Sequence, residues 1–454
     1  MRDNQMARSE ERGGIAIVGA GPVGAIAAMY LAPRFGPVTV LERRADPRRG
    51  GGRRGRSITV MLSTRGWRAL SELGLDAAVR AICLPIHGRC AHLPDGRSHV
   101  SPYSRDWRPI WSVERARLHC LLLDAAEATP GVKILFEQRV REVDPDVPAV
   151  EVENGDGSTR MAYSRVLGCD GAHSVVRAAL VTRGAQAVVR RLELAHQEID
   201  VPGGWLDPST MHYWPTGDAL FAAFPLPSGN FAGSLFLRHE GPAPSYAVVE
   251  SGQDLLEMFV SRFGKPAAAI PDLADQLSVK SIGTIMTVSC DRWVWRDKLA
   301  LLGDACHAMA PFMGHGMNCG FEDVRTLVDR LDSTQNWAAA LAAYEKIRIE
   351  DAHAISYLSY QHYHHMANPP AESIAHAEEL RNRLIALFPD RFVPLYERCA
   401  FTEESYAAVL KDDRRLDSLV EDLLSRHGAE LVSASNSRLR ACVSAAGIAS
   451  LGEC

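Results

Sequence analysis

The 454-residue chain contains no run near the ~18 consecutive apolar residues that a membrane-spanning helix requires. Its opening residues, MRDNQMARSEERGG, lack the apolar core of a secretory signal. A basic excess is missing too. Fifty Lys and Arg stand against 55 Asp and Glu, a formal net charge of −5. General nucleic-acid affinity rests on basic surface, so that class of function is excluded. The ten cysteines form no CxxC pair, and several sit in apolar runs such as LHCLLLDAA (118–126). A disulfide framework does not fit a chain of this length. Reduced, buried thiols and a cytoplasmic protein without a membrane anchor are expected instead. No internal repeat is visible. With 46% hydrophobic residues the chain can build a substantial core, and its length suggests about three units of roughly 150 residues.

The first such unit is legible near the start. GGIAIVGAGPVGAIAAMYLAPRFGPVTVLERR (13–44) reads as strand, glycine turn, helix 22–34 and second strand 38–42. Gly19, Gly21 and Gly24 fit G-x-G-x-x-G: the first allows a tight turn, the second lets backbone approach a pyrophosphate, and the third lets helix pack closely on strand. Glu42 ends the second strand, where an acid can bind a ribose hydroxyl. The arginine- and glycine-rich stretch 43–57 reads either as a solvated loop or as electropositive cover for cofactor phosphates. Further on, helices are expected from about Thr64 and over Arg115–Ala128. Two strands flank the Asp-Gly turn in 86–103, and more strands lie across 131–168 and 188–240. A short strand at 298–302 turns at Gly303-Asp304 into a helix opening near Met317, and nearly everything beyond is helical.

LLGDACHAMAPFMGHGMNCGFED (301–323) collects Asp304, Cys306, His307, His315 and Cys319. The residue types suit a metal, but the spacing matches no structural site, which wants four well-placed ligands. No metal centre is expected. A helix opening at GHGMN instead presents free backbone N–H groups that favour negative charge on a ligand.

Three motifs stand in order: GAGPVG at 19–24, CDGAHSVVR at 169–177 and GDACHAMAPFMGHGMN at 303–318. Together they resemble the aromatic-hydroxylase class of FAD monooxygenases, whose fold is that of p-hydroxybenzoate hydroxylase. That resemblance implies an α/β protein: a Rossmann-like FAD-binding domain, an interleaved β-sheet substrate domain and a helical C-terminal region. The corresponding segments are 13–185 (cofactor-binding βαβ unit and first part of the substrate region), 186–296 (β-rich substrate domain), 297–335 (Gly-Asp segment and helix) and 336–454 (helical region with tail). It further implies that Asp170 and Gly171 lie near the FAD pyrophosphate and Asp304 on the ribityl chain. Gly316, Met317 and Asn318 would face the flavin pyrimidine edge, and Arg43, Arg56 and Arg115 would lie near FAD.

Within the class, 55–75, 111–126, 211–236 and 392–409 are similar to the kynurenine 3-monooxygenase family, with a likeness that runs from about residue 14 to 412. The implied substrate residues are Arg89 for a carboxylate, Tyr103 and Tyr406 beside it, and Phe312 and His315 on the wall. An arginine can grip a carboxylate through two parallel charge-assisted hydrogen bonds. There are departures. The family's FFGQGMN reads FMGHGMN here, placing Met313 and His315 where it has phenylalanine and glutamine. Its carboxylate-side asparagine falls, by ungapped counting from Tyr406, on Ala371, with Asn368 three residues away.

The resemblance implies that NADPH, as a transient co-substrate, reduces FAD, O2 adds to give a flavin C4a-hydroperoxide, and one oxygen atom enters ortho to the amino group of L-kynurenine or a close derivative. The flavin carries the chemistry; no dedicated catalytic side chain is needed, and His315 either bonds the substrate carbonyl or shapes the wall. A small aryl amino acid is the expected partner, with a homodimer open. The alternatives are a hydroxylase of tryptophan or another indole, and a flavin-binding protein without catalysis. Halogenation, hinted at by WVWR (293–296), is set aside because the continuation WVWRDK lacks the Ile-Pro of that pattern.

Overall fold

The computed structural model describes residues 10–11, 13–49, 59–155, 157–249, 251–279, 281–367 and 372–445. Arg56, Asn368 and Ala371 lie outside them. The expected βαβ unit is present: strand Ile15–Val18, helix Pro22–Phe35 and strand Val38–Leu41, with Glu42 one residue beyond. Pro22 begins the helix, where its missing N–H is no loss. Every residue from Gly24 to Ala32 is buried. The reason is that the helix is covered on several sides, by the sheet and by helices Arg115–Ala128 and Gly316–Thr334, and its alanines permit that close approach. The strands belong to a six-stranded sheet in the order Val294–Trp295, Leu299–Leu301, Arg165–Gly168, Ile15–Val18, Val38–Leu41, Val132–Leu135. All neighbours pair parallel except the first two. This brings the Cys169–Gly171 turn and the Gly303–Asp304 turn to the same sheet end as the glycine turn, where ligands bind in open parallel sheets.

A second, seven-stranded sheet runs Gly283–Cys290, Ala187–Val201, Phe231–Arg238, Leu220–Pro225, Thr210–Pro215, Gly88–His92, Ser98–Pro102. Strand side chains alternate between faces, and the alternation here divides two cores. Ala219, Phe221 and Ala223 pack with Phe259, Phe263 and Leu273. Leu220 and Ala222 pack on the other side with Tyr363 and Met366 of helix Trp337–Ala367. The first core reveals elements missing from the sequence reading of 186–296 as β-rich: helices Gly252–Arg262, Gly264–Ala269 and Leu273–Val279. A reciprocal cap starts the first of them, with Ser251 accepting from the Asp254 N–H and Asp254 accepting from the Ser251 N–H.

A three-stranded sheet (Thr59–Leu62, Ile110–Glu114, Cys83–Ile86) joins the two regions. The C-terminal helices close on a separate leucine core that includes Leu380, Leu384, Leu423 and Leu439. Among the described residues no helix is long and apolar enough to cross a membrane.

Candidate functional site

The cofactor cradle is shaped by its glycines. Gly19 has φ +101°, and a Cβ there would overlap the Cys169 carbonyl. A Cβ on Gly24 would overlap the carbonyl of Gly19. Gly21 differs: a Cβ would meet no protein atom within 4 Å. Its lack of a side chain therefore serves the open space in front of the turn. Beside it lies a cavity of about 200 Å³ lined by Gly19, Glu42, Arg43, Gln138, Arg139, Asp170 and His173, among others. Glu42 accepts hydrogen bonds from the backbone N–H of Ala20 (3.0 Å) and Arg44 (2.9 Å), so its carboxylate is held at the rim. Arg115 is exposed at the start of its helix, with its charge felt by His119, whose ring bonds the Ala20 carbonyl at 2.6 Å. These residues fit an adenosine diphosphate group: open space before Gly21, an acid at the ribose position and cations around it.

Two further turns complete the rim. Asp170 Oδ2 accepts from the Val175 N–H at 2.7 Å, while its buried Oδ1 has no partner. Burial raises its carboxyl above the ordinary value. Gly171 follows at φ +80°. Asp304 is exposed at the head of the short helix Asp304–His307, after Gly303 at φ +61°. Arg177 ties the two turns together, donating to the carbonyls of Ala305 (2.7 Å) and Ala172 (2.6 Å).

The Gly303 turn rests on a buried charge network that sequence reasoning missed. Asp323 Oδ2 accepts from Gly303 N–H (2.9 Å) and pairs with His307 Nε2 (2.5 Å), while Oδ1 accepts from Arg348 Nε (2.9 Å). Burial alone would raise the Asp323 carboxyl, but His307 and Arg348 bring it down to about 2. Burial likewise opposes charge on His307, and Asp323 outweighs it, holding that imidazole well above its usual value. Arg348 also reaches Glu322 (2.8 Å), which pairs with Arg65. The acids Glu322 and Asp323 follow closely on GMNCG, the only hint in the sequence.

Helix Gly316–Thr334 opens without a side-chain cap and with no acid in its first turn. Its first N–H groups thus present positive potential to whatever lies before them. Asn318 is buried and engaged: Nδ2 donates to the carbonyls of Met61 (2.7 Å) and Gly314 (2.9 Å), and Oδ1 accepts from Ser63 N–H (3.0 Å). Its side chain stitches the entrance of this helix to strand Thr59–Leu62.

Arg89 lies on strand Gly88–His92 and donates from Nη1 to His362 Nε2 at 2.7 Å. Burial, then the Arg89 charge, depresses the His362 pKa well below the ordinary value, so the ring is a neutral acceptor. The Tyr396 ring lies 5.8 Å from the guanidinium and 5.2 Å from the buried ring of Tyr103. Tyr406 stands with His315 rather than against Arg89. It is fully buried with Arg65 4.0 Å over its ring, and its hydroxyl shares a 3.1 Å hydrogen bond with His315 Nδ1. Tyr396, on the preceding helix Leu395–Phe401, is the tyrosine that meets Arg89. His315 is edge-on to Tyr396 at 6.1 Å and is neutral, burial and Arg65 lowering it to about 3. Phe312 completes an aromatic wall with Phe236 (5.1 Å) and Tyr363 (4.6 Å). His362 and Tyr396 gave no signal of their own in the sequence.

Residues 13–357 match the family described as FAD binding domain. The chain is 36% identical over 442 residues to kynurenine 3-monooxygenase of Salinispora arenicola, covering 94% of this chain and 95% of that one. It is 34% identical over 406 residues to the protein of the same name from Xanthomonas axonopodis pv. citri, covering 87% and 89%. In fold it is similar to p-nitrophenol 4-monooxygenase from Pseudomonas putida, with a TM-score of 0.66, 19% identity and coverage of 90% and 99%. The glycine cradle, the paired aspartate turns and this likeness along nearly the whole chain place it in the kynurenine 3-monooxygenase family of FAD-dependent aromatic monooxygenases.

Proposed function

We propose that the chain uses NADPH and O2 to place one oxygen atom ortho to the amino group of L-kynurenine or a close derivative. The observation that carries this substrate class is the Arg89 cluster. A half-buried guanidinium gives one N–H to neutral His362 and keeps its remaining donors for an anion, between Tyr103 and Tyr396. The α-carboxylate of an aryl amino acid suits that fork, where the planar guanidinium provides two parallel bonds. Tyr396, rather than Tyr406, is the second tyrosine at the carboxylate. His362 takes the carboxylate-side role that counting from Tyr406 had put at Ala371.

FAD, when bound, supplies the activation of O2 with electrons from NADPH. The chain's own residues bind, aim and exclude water. Phe312, Phe236 and Tyr363 provide an apolar wall for the ring, with His315 as a neutral polar group beside it. An arylamine ring is already electron-rich, so no side chain has to remove a proton before oxygen transfer. The N–H groups at Gly316–Asn318 favour negative charge on a reduced flavin. Glu42, Arg43, Arg115, Asp170 and Asp304 would hold its sugar and phosphate groups. The names of the Salinispora and Xanthomonas relatives support kynurenine as substrate.

The test is substrate-stimulated NADPH oxidation by FAD-loaded protein, comparing L-kynurenine with L-tryptophan. Stimulation by kynurenine alone is expected. Stimulation by tryptophan alone would move the substrate to the indole class, and none by any aryl amino acid would leave a flavoprotein without this catalysis.

A further inference from the structure

We propose that Cys90, His92 and His212 form a zinc site on the face of the seven-stranded sheet opposite Arg89, bound through one thiolate and two imidazoles. The sheet register brings the three together. Strand Gly88–His92 pairs parallel with Thr210–Pro215, and Cys90 stands directly against His212. His92, two residues after Cys90, shares its face, while Arg89 points the other way. The three ligand atoms lie within 4.8 Å of one another, with His92 Nε2 only 2.9 Å from His212 Nδ1. Tetrahedral zinc, with bonds of about 2.0–2.1 Å to nitrogen and 2.3 Å to sulfur, sets ligand atoms roughly 3.3–3.7 Å apart. Side-chain shifts on the order of an ångström reach that geometry.

The outer nitrogens already face the oxygen atoms that a metal site would use. His212 Nε2 donates to the Asp207 carbonyl at 2.9 Å and lies 3.1 Å from Thr210 Oγ1. A carbonyl can only accept, so the proton is on Nε2 and Nδ1 presents a bare lone pair. With His212 Nδ1 bare, the 2.9 Å hydrogen bond between the rings is donated by His92 Nε2; zinc would replace that proton, which moves to Nδ1, where Ser98 Oγ at 3.0 Å can accept it. Metal-bound histidines almost always donate their second N–H to such an oxygen. The Trp214 ring stacks on His92 at 4.5 Å and fixes its plane. Zinc would displace the Cys90 thiol proton on binding, as thiolate ligation does elsewhere.

A second group among the described residues, the thiol, imidazole and carboxylate of Cys306, His307 and Asp323, offers no comparable site. Arg348, Gly303 and His307 already engage Asp323, and the Cys306 thiol donates to the Gly303 carbonyl. Zinc at Cys90 would pin two parallel strands immediately behind Arg89 and hold the main chain that aims it.

The experiment loads FAD-containing protein with Zn2+, desalts it and measures retained metal, with Co2+ as a spectroscopic probe. About one zinc per chain is expected, with cobalt d–d bands at wavelengths longer than the flavin's. Cys90→Ser and His212→Asn should weaken Zn2+ by at least ~100-fold, and Ser98→Ala, at an exposed residue outside the core, by ~10–100-fold. Cys306→Ala should keep wild-type affinity. No stoichiometric zinc in the wild type, or wild-type affinity retained in all three site variants, would overturn the proposal in favour of a packed histidine pair that only shares a hydrogen bond.

Discussion

Replacing Arg89 by methionine removes the guanidinium while keeping much of its stem. Two charge-assisted hydrogen bonds to a carboxylate would be lost, each worth ~1.5–3 kcal/mol. What remains around the carboxylate is Tyr103, Tyr396 and His362, and burial keeps the last neutral even without Arg89. Leaving one half of a buried ion pair alone costs about 3–5 kcal/mol, roughly 100- to 3,000-fold in binding. The interaction is the same before and during oxygen transfer, so the loss should fall on KM far more than on kcat. The assay is NADPH oxidation against L-kynurenine and against its decarboxylated amine, with FAD content measured in each preparation. The amine should lose little between wild type and Arg89→Met, because it never used the fork. Equal losses for both substrates, or loss of FAD, would refute a carboxylate role for Arg89.

Gly21→Ala and Gly24→Ala should separate cofactor binding from folding. The first meets no protein atom and should keep the apoprotein's Tm while weakening FAD, whereas the second overlaps the Gly19 carbonyl and should lower both. Tyr396→Ala, which removes the ring beside the Arg89 guanidinium, should raise KM for kynurenine several-fold, while Tyr406→Phe, whose hydroxyl bonds His315 rather than the Arg89 cluster, should change KM less and Tm more; steady-state kinetics and thermal melts distinguish them. Asp323→Asn should cost about 3–5 kcal/mol of stability near pH 5, as breaking a buried pair does. With a folded pKa of about 2 against an ordinary 3.8, the Asp323 contribution is complete above 3.8 and fades as pH falls towards 2. His307, raised above its ordinary 6.5, contributes fully below that value and fades as pH climbs through its folded pKa. Denaturant melts across pH should therefore show the gap between wild type and variant narrowing at both ends.

The sequence exposed what local chemistry constrains. The glycines at 19, 21 and 24, the helix Arg115–Ala128 and the hairpin around the Asp-Gly turn at 95–96 are dictated within about thirty residues, and they fold as read. The helices over 252–279 were overlooked although Ser251 and Asp254 spell a capping box. Long-range features were hidden for another reason. The pairing of strand 88–92 with 210–215 joins segments over 100 residues apart, and nothing periodic announces it. The same holds for the tyrosines. Tyr396 and Tyr406 stand on consecutive helices, and only the packing of those helices decides which ring meets Arg89. Motif matching along the chain pointed to Tyr406, and His362, which bonds Arg89, carries no motif at all. The buried network of Arg348, Glu322 and Asp323 leaves only the acids after GMNCG as a hint, since charged residues on a helix read first as solvent-facing.

The most direct measurement is the mass of the product formed from L-kynurenine by purified FAD-loaded protein, with NADPH consumption followed in the same vessel. A gain of one oxygen atom on the aromatic ring next to the amine, in proportion to NADPH consumed, is expected. NADPH drained to hydrogen peroxide with kynurenine recovered unchanged would contradict the assignment of this pocket.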